Sequence, residues 1–397
     1  MSKNYVILPK IKDQNLLAKY YSMADAFVIC SKRENFPTTC IEAQCCGTPV
    51  VGFNTGGTKE TTILDRRDFV TYGDVGALKT KLNNVLDLDL DRLALAQMAQ
   101  ERYSKETMAK NYLAEYDTEG KKNRILLIDV NCKYSSTGKI VYDLYSKIRE
   151  DGREAAICYG RGPLVEGENI YKFGIDWETY LHAALARISG YNGYFSYFST
   201  RRLIDYIEKF KPDLVHIHEL HAYFVNIKTL VNYLKTKKIK IVWTFHCEYM
   251  YTGKCGYAYD CNKFETQCEH CPVLGEYPKS VWFDKTDEMF RDKREYLDGM
   301  DFTIVTPSEW LAERVKRSFL KNKIVKVIHN GIDTSVFKPV FDRRIRNELQ
   351  IPIDNKIVLA VAPDIMSERK GGKWVLGLAE KSIDQSITYI LIGAKKF

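Results

Sequence analysis

The stretch Ala26-Phe-Val-Ile-Cys-Ser-Lys-Arg-Glu-Asn-Phe-Pro-Thr-Thr-Cys-Ile-Glu-Ala-Gln-Cys-Cys-Gly-Thr-Pro-Val-Val-Gly-Phe53 decides the fold. Its apolar runs, Ala26–Cys30 and Pro49–Phe53, are short and show no alternation, which suits strands buried on both faces. The residues between them divide into a loop and a helix. Strand, loop, helix, strand is the building unit of a parallel α/β sheet. Pro37 fits the first turn of the helix, where its missing N–H costs nothing. Phe36, Thr38 and Thr39 can then direct backbone N–H groups at an anion such as phosphate. Glu34 closes the loop and Glu42 lies more than a turn inside the helix, so each carboxylate can accept bonds from ligand hydroxyls. Two surface glutamates around an ordinary helix cap explain the same spacing, and spacing alone leaves both readings open.

Outward from this unit the pattern repeats. Further strands are expected at Tyr5–Leu8, Phe69–Tyr72, Arg124–Asp129, Ala155–Tyr159, Asp213–His218 and Lys240–His246, then at Phe302–Val305, Lys326–Ile328, Ile357–Ala362 and Ile387–Ile392. Helical patterns separate them, which predicts an α/β chain with two doubly wound parallel sheets. A length of 397 residues suits two domains with a cleft between them. The 59 Lys+Arg against 51 Asp+Glu give +8, too diffuse for nucleic-acid binding but compatible with anionic ligands or a membrane surface. No run approaches the roughly 20 apolar residues of a membrane span, and the first residues lack a signal-peptide core, so a cytoplasmic protein is expected. Eleven cysteines, spread through strands and helices, read as mostly reduced thiols.

The polar segment Asp117-Thr-Glu-Gly-Lys-Lys-Asn123 reads as a linker, and the strand that follows it resembles the first strand of a Rossmann-like sheet. Both chain ends lie close to core strands, as if one domain had been cut there and Phe397 could be joined to Ser2 through a short basic connector with nothing missing. Arg102–Asp117, with Tyr103, Met108, Tyr112 and Tyr116 at helical spacing, is expected as a single helix.

Taken in the order 121–397 and then 2–119, the chain resembles the retaining GT-B glycosyltransferases that build bacterial exopolysaccharides and lipopolysaccharides. The resemblance rests on an ordered set: Ser135-Ser-Thr-Gly-Lys139, Pro212-Asp-Leu-Val-His-Ile-His218, Trp243-Thr-Phe-His246, Thr306-Pro-Ser308, His329-Asn-Gly-Ile-Asp333 and Arg369-Lys-Gly-Gly372. The glutamate pair follows, with Gly47-Thr-Pro-Val50 and Thr55-Gly-Gly57. It implies a circular permutation with Gly120 inside a junction between old ends. It also implies a nucleotide-sugar domain formed by 2–102 plus 339–397, a returning helix at 103–119, and an acceptor-side domain at 121–338.

The resemblance further implies site residues. Glu42 would bind ribose hydroxyls, Glu34 would approach the transferred sugar, and the backbone from Phe36 to Thr39 would hold the diphosphate. Lys370 would neutralise phosphate charge. Family members often carry an arginine a few residues earlier, whereas here Arg369 is adjacent; Arg369 and Lys370 can also be a solvated helix start. In the other domain, Gly138 would let backbone approach the donor, or simply cap a helix. His246 would contact the sugar at a strand end. His216 and His218 can face the cleft, but satisfied core histidines explain them as well. Transfer with retention and without an obligatory metal is expected, from a nucleotide-diphosphate sugar to a glycan or lipid-linked acceptor. The glutamates are not a glycosidase pair, because their loop is built for an anion.

Cys255, Cys261, Cys268 and Cys271 stand apart and resemble a structural zinc knuckle that would fasten a loop poor in apolar residues; reduced thiols or disulfides are the alternatives. His270 is a further possible ligand. Tyr191-Asn-Gly-Tyr-Phe-Ser-Tyr-Phe198 with Arg201 and Arg202 combines aromatics and cations as a membrane-surface or lipid-diphosphate site does, and packing under a loop is the other reading.

Overall fold

The computed structural model describes residues 4–64, 68–117, 123–342, 344–380 and 386–394. Its strands are β1 (Tyr5–Pro9), β2 (Ala26–Ile29), β3 (Val50–Phe53), β4 (Phe69–Val70), β5 (Arg124–Asp129), β6 (Glu154–Tyr159) and β7 (Ile170–Lys172). They continue as β8 (Leu214–Ile217), β9 (Lys240–Thr244), β10 (Thr303–Thr306), β11 (Val325–Val327), β12 (Lys356–Val361) and β13 (Ile387–Ala394). Every expected strand is present, with ends shifted by a residue or two. Among the described residues, β7 is the one additional strand.

Packing divides the chain into two compact units, Met1–Thr107 with Asn330–Phe397, and Met108–His329. The first holds a six-stranded sheet in the order β1-β13-β12-β2-β3-β4, the second a seven-stranded sheet in the order β11-β10-β9-β8-β5-β6-β7. All pairings are parallel. This is the two-Rossmann-unit α/β architecture expected of a GT-B fold. Each sheet is buried on both faces. In the first unit Phe27, Ile29, Ile390 and Ile392 pack on one side and Val28, Val51, Tyr389 and Leu391 on the other. In the second, Leu126, Val215 and Trp243 oppose Ile125, Leu127 and Val242. That two-sided burial explains the unalternating apolar runs.

The two sheets share one plan. Counted from β5, the second unit reads 3-2-1-4 onward across the sheet, the doubly wound order. The first unit gives 3-2-1-4-5-6 only when β12 and β13 are counted before β1 to β4. Each sheet therefore has a topological switch point, between β12 and β2 and between β5 and β8. Ligands of open α/β sheets bind at the carboxyl ends of the strands there.

Two expectations need correction. The helix expected over Arg102–Asp117 is two helices, Arg92–Tyr103 and Lys105–Tyr116. Ser104 is extended, at φ −67° and ψ 150°, and its Oγ accepts the Thr107 N–H at 3.1 Å, capping the second helix as it ends the first. Tyr103 packs in the first unit, while Met108, Tyr112 and Tyr116 pack in the second. The buried phenols are satisfied there, Tyr112 against Thr244 Oγ1 at 2.9 Å and Tyr116 against His216 Nδ1 at 2.6 Å. The second correction concerns the joint of Phe397 to Ser2, whose residues lie outside the described ones, as does Gly120. Because β1 pairs with β13 in parallel, a short connector cannot link them; a crossover of about a dozen residues or more is required.

Candidate active site

In the first unit the loops after β12 and β2 meet at the switch point. Lys370 Nζ donates to Glu34 Oε1, and Arg369 Nη1 lies 3.5 Å from the same oxygen. Backbone fastens the pair, since Lys32 N–H donates to Arg369 O at 2.8 Å and Gly57 N–H to Glu34 O at 3.1 Å. Two glycines make this approach possible. A Cβ on Gly56 (φ +70°) would lie 2.0 Å from Glu34 O, and one on Gly371 (φ +70°) 2.0 Å from Cys30 O. Glu34 is only 8% exposed. Burial opposes its ionisation, but Lys370 and Arg369 more than offset it, so its carboxyl titrates below the ordinary value. Arg369 and Lys370 therefore converge on one carboxylate instead of forming a solvated helix start.

Pro37 occupies the N-cap of the helix Thr38–Cys45, one position earlier than expected, because its ψ of 117° is extended. Pro37 itself makes no side-chain capping bond to this N-terminus. The Thr38 and Thr39 backbone stands at its positive end, whereas the Phe36 ring turns inward against Tyr103, 5.8 Å between centroids. Glu42, half-buried on the same helix, accepts the Tyr21 hydroxyl at 2.9 Å. Tyr21 is fully buried, so its phenol fixes the carboxylate. Sequence reading missed this partner, which carries no motif and sits on another helix.

In the second unit the ends of β5, β8 and β9 gather histidines and carboxylates. His216 is a satisfied core histidine, bonded through Nδ1 to Tyr116 and through Nε2 to Thr244 Oγ1 at 2.8 Å. His218 differs. Its Nδ1 lies 3.0 Å from His246 Nε2, the rings stack at 5.3 Å, and its own Nε2 is buried without a partner. Burial holds both His218 and His246 below the usual imidazole range, as neutral rings. Asp129, at the end of β5, accepts the Glu219 and Asn131 N–H groups, and burial together with the Glu219 charge pushes it up to about 7. Gly138 lies within the first turn of the helix Ser135–Glu150, and its N–H donates to Ser135 Oγ at 3.3 Å. That is the geometry of a helix start whose amide is already engaged.

All eleven cysteines are free thiols. Cys255, Cys261, Cys268 and Cys271 line one small cavity. Hydrogen bonding from Cys255 lowers the Cys271 thiol to about 7. The four sulfurs do not close to the mutual 4.8 Å reached by another cluster in this unit. Buried polar groups already hold the segment. Glu248 accepts Arg314 Nε at 2.5 Å and Ala258 N–H at 2.7 Å, Lys254 Nζ reaches the carbonyls of Leu274, Glu276 and Pro278, and Lys293 Nζ those of Tyr249, Thr252 and Gly253.

The aromatic segment splits between both expected readings. Tyr194 hydrogen-bonds Asp292 at 2.6 Å, whereas Tyr197 and Phe198 are exposed. Tyr197, with Tyr191, Tyr194, Phe195, Glu288 and Arg291, borders a cavity of ≈ 610 Å³ that Asp292 and Glu295 also line. Two of its carboxylates are already paired, Glu288 with Lys285 and Asp292 with Lys228. Among the described residues no helix is long and apolar enough to cross a membrane.

Two Rossmann-like units, one with a cation–carboxylate pair beside a helix N-terminus at its switch point, define the class as a doubly wound α/β fold whose ligands bind at strand ends. Comparison with known proteins specifies it. The description Glycosyltransferase Family 4 matches residues 137–336, half of the chain, and Glycosyl transferases group 1 matches residues 2–102. The chain belongs to Glycosyltransferase Family 4. It is 29% identical over 130 residues to the putative colanic acid biosynthesis glycosyl transferase WcaC of Escherichia coli (strain K12), covering 31% of this chain and 32% of that protein. It is 42% identical over 77 residues to D-inositol 3-phosphate glycosyltransferase 2 of Catenulispora acidiphila, covering 19% and 18%. A glycogen synthase of Caldicellulosiruptor bescii is 23% identical over 260 residues, covering 52% and 49%. The chain thus spans a fifth to a half of these relatives.

Proposed function

We propose that this chain is a circularly permuted, retaining glycosyltransferase that moves a sugar from a nucleoside-diphosphate donor, bound by the first unit, to a glycan or lipid-linked acceptor. The observation that carries the reading is the Glu34–Lys370 pair beside the N-terminus of the helix Thr38–Cys45 at the β12/β2 switch point. On the donor, the Thr38–Thr39 backbone and Lys370 hold the diphosphate, with Arg369 beside it. Glu42, fixed by Tyr21, takes ribose hydroxyls. Glu34 faces the transferred sugar and, exchanging Lys370 for sugar hydroxyls, leaves the ammonium to the phosphate. His246, held neutral and stacked on His218 just beyond β9, is the candidate catalytic ring of the second unit. In retaining transfer of this kind the departing diphosphate takes the acceptor's proton on the face it leaves, so the protein supplies position and charge without an obligatory metal.

Support for permutation comes from the strand order: the first sheet follows the same doubly wound plan as the second only when β12 and β13 precede β1. The name of the Escherichia coli relative, a putative colanic acid biosynthesis glycosyl transferase, supports sugar transfer in a biosynthetic role. The four cysteines around one cavity have the soft donor set for structural zinc, as a supplement to the polar anchors.

Product analysis tests the reaction. With a panel of nucleoside-diphosphate sugars and both free and lipid-linked glycans, NMR of the product is expected to show the donor's anomeric configuration preserved. An inverted product overturns retention, a free epimerised nucleotide sugar supports an epimerase on the same fold, and no turnover of any donor supports a non-catalytic scaffold.

A further inference from the structure

The carboxyl ends of β8 and β9 carry a cluster that the donor chemistry does not use. Glu219 and His221 follow β8, Cys247 follows β9, and the two strands are neighbours in the sheet. A carboxylate oxygen of Glu219, a ring nitrogen of His221 and the sulfur of Cys247 all lie within 4.8 Å of one another. The contacts crowd on a single atom. Glu219 Oε2 is 3.5 Å from Cys247 Sγ and also faces His221 Nδ1. Yet Nδ1 is buried and makes no aligned hydrogen bond.

The same three donor atoms converge closely enough to serve one shared cation. Tetrahedral ligands at the usual bond lengths of about 2.0–2.3 Å stand about 3.3–3.8 Å apart, a spacing these three groups reach with small rotations. They line a cavity of ≈ 10 Å³ together with His218, His246 and Tyr249. That volume is close to the space one water or one ion needs. His221 is held in place by its ring, stacked on Tyr249 at 5.5 Å.

We propose that Glu219, His221 and Cys247 form a binding site for a zinc-class divalent transition metal, with three protein ligands and the fourth position in the cavity that His218 and His246 also line. The mixed sulfur, nitrogen and oxygen donors select zinc and its neighbours; magnesium and calcium take oxygen ligands. Bound there, the ion ties the end of β8 to the end of β9 and fixes the backbone that presents His246. The site is distinct from the cavity of Cys255, Cys261, Cys268 and Cys271, and it does not depend on what the first unit binds.

The test is metal content and Co(II) spectroscopy on the full chain. After chelation and dialysis, Co(II) titration of the wild type is expected to give the absorption of a tetrahedral ion with thiolate-to-metal charge transfer. Cys247→Ser and His221→Gln are each expected to lose one zinc equivalent by atomic emission, with far-UV circular dichroism unchanged. A Cys255→Ser/Cys271→Ser variant is expected to keep the Cys247-dependent charge-transfer band. The proposal is overturned if either single variant that retains its fold binds as much zinc as the wild type. It is equally overturned if the only metal taken up disappears with Cys255 and Cys271. Two variants with different side chains keep the test decisive should one fail to fold.

Discussion

Lys370→Ala is expected to lower kcat by about 10²–10³, the loss typical of removing one preorganised group that stabilises charge developing in the transition state. The physical basis is the position of Lys370. Its ammonium sits on a carboxylate that is almost fully buried, on a loop that Gly371 and the Lys32–Arg369 backbone bond hold against the end of β2. A cation positioned in advance does not have to be reorganised when the diphosphate begins to leave, and low local dielectric magnifies its effect. The substitution also leaves Arg369 as the remaining cation beside Glu34, so some loss of stability is expected, and kinetics are to be compared at a temperature where both proteins are folded. Lys370→Arg keeps the charge and should recover part of kcat. The informative split is between kcat and KM. A group that acts on leaving phosphate lowers kcat more than it raises KM. A folded Lys370→Ala protein with kcat within a few-fold of wild type would remove Lys370 from the reaction.

Reordering the chain is expected to have an all-or-none effect that depends on the joint. A version running 121–397, then a helical crossover of about a dozen residues or more, then 2–119 is expected to fold and to bind the same nucleotide sugar. The same order with Phe397 fused directly to Ser2 is expected to fail. Parallel strands cannot be connected by a tight turn, so the direct fusion must give up the β1–β13 pairing, whose register runs from Tyr5 opposite Tyr389 to Pro9 opposite Ala394. Circular dichroism and thermal unfolding distinguish the outcomes. If the crossover version does not fold while the present order does, the permutation account fails, and the first unit must be regarded as built for the order in which its strands occur.

What the sequence made legible follows the physics of burial. Strands covered on both faces announce themselves as short apolar runs, which is why Arg124–Asp129 and Ile387 onward were readable. β7 was not, because Ile170-Tyr-Lys172 is three half-buried residues beside one neighbour only. The break at Ser104 was hidden because tyrosines on both sides keep helical spacing while packing into different units. Glu34, Glu42 and Lys370 were visible through the ordered family motifs, but their geometry was not. No local pattern brings Tyr21 to Glu42, or a lysine more than three hundred residues away to Glu34; both depend on sheet order. The same holds for Glu219, His221 and Cys247, which become neighbours only because β8 lies beside β9. The cysteine segment, a loop with few apolar residues, is held by buried lysines and a glutamate–arginine pair, which cysteine spacing does not announce.

The most direct measurement of the central claim is a thermal-shift screen of the intact chain against nucleoside-diphosphate sugars, with Glu42→Ala in parallel. Ligand at about 100 times its dissociation constant should stabilise the wild type by about 2.7 kcal/mol. Glu42→Ala should melt lower without ligand, since Tyr21 loses its acceptor, and should show no ligand-induced shift. No shift of the wild type with any nucleoside-diphosphate sugar, or a full shift retained by Glu42→Ala, would contradict a donor site built from the two ends of this chain.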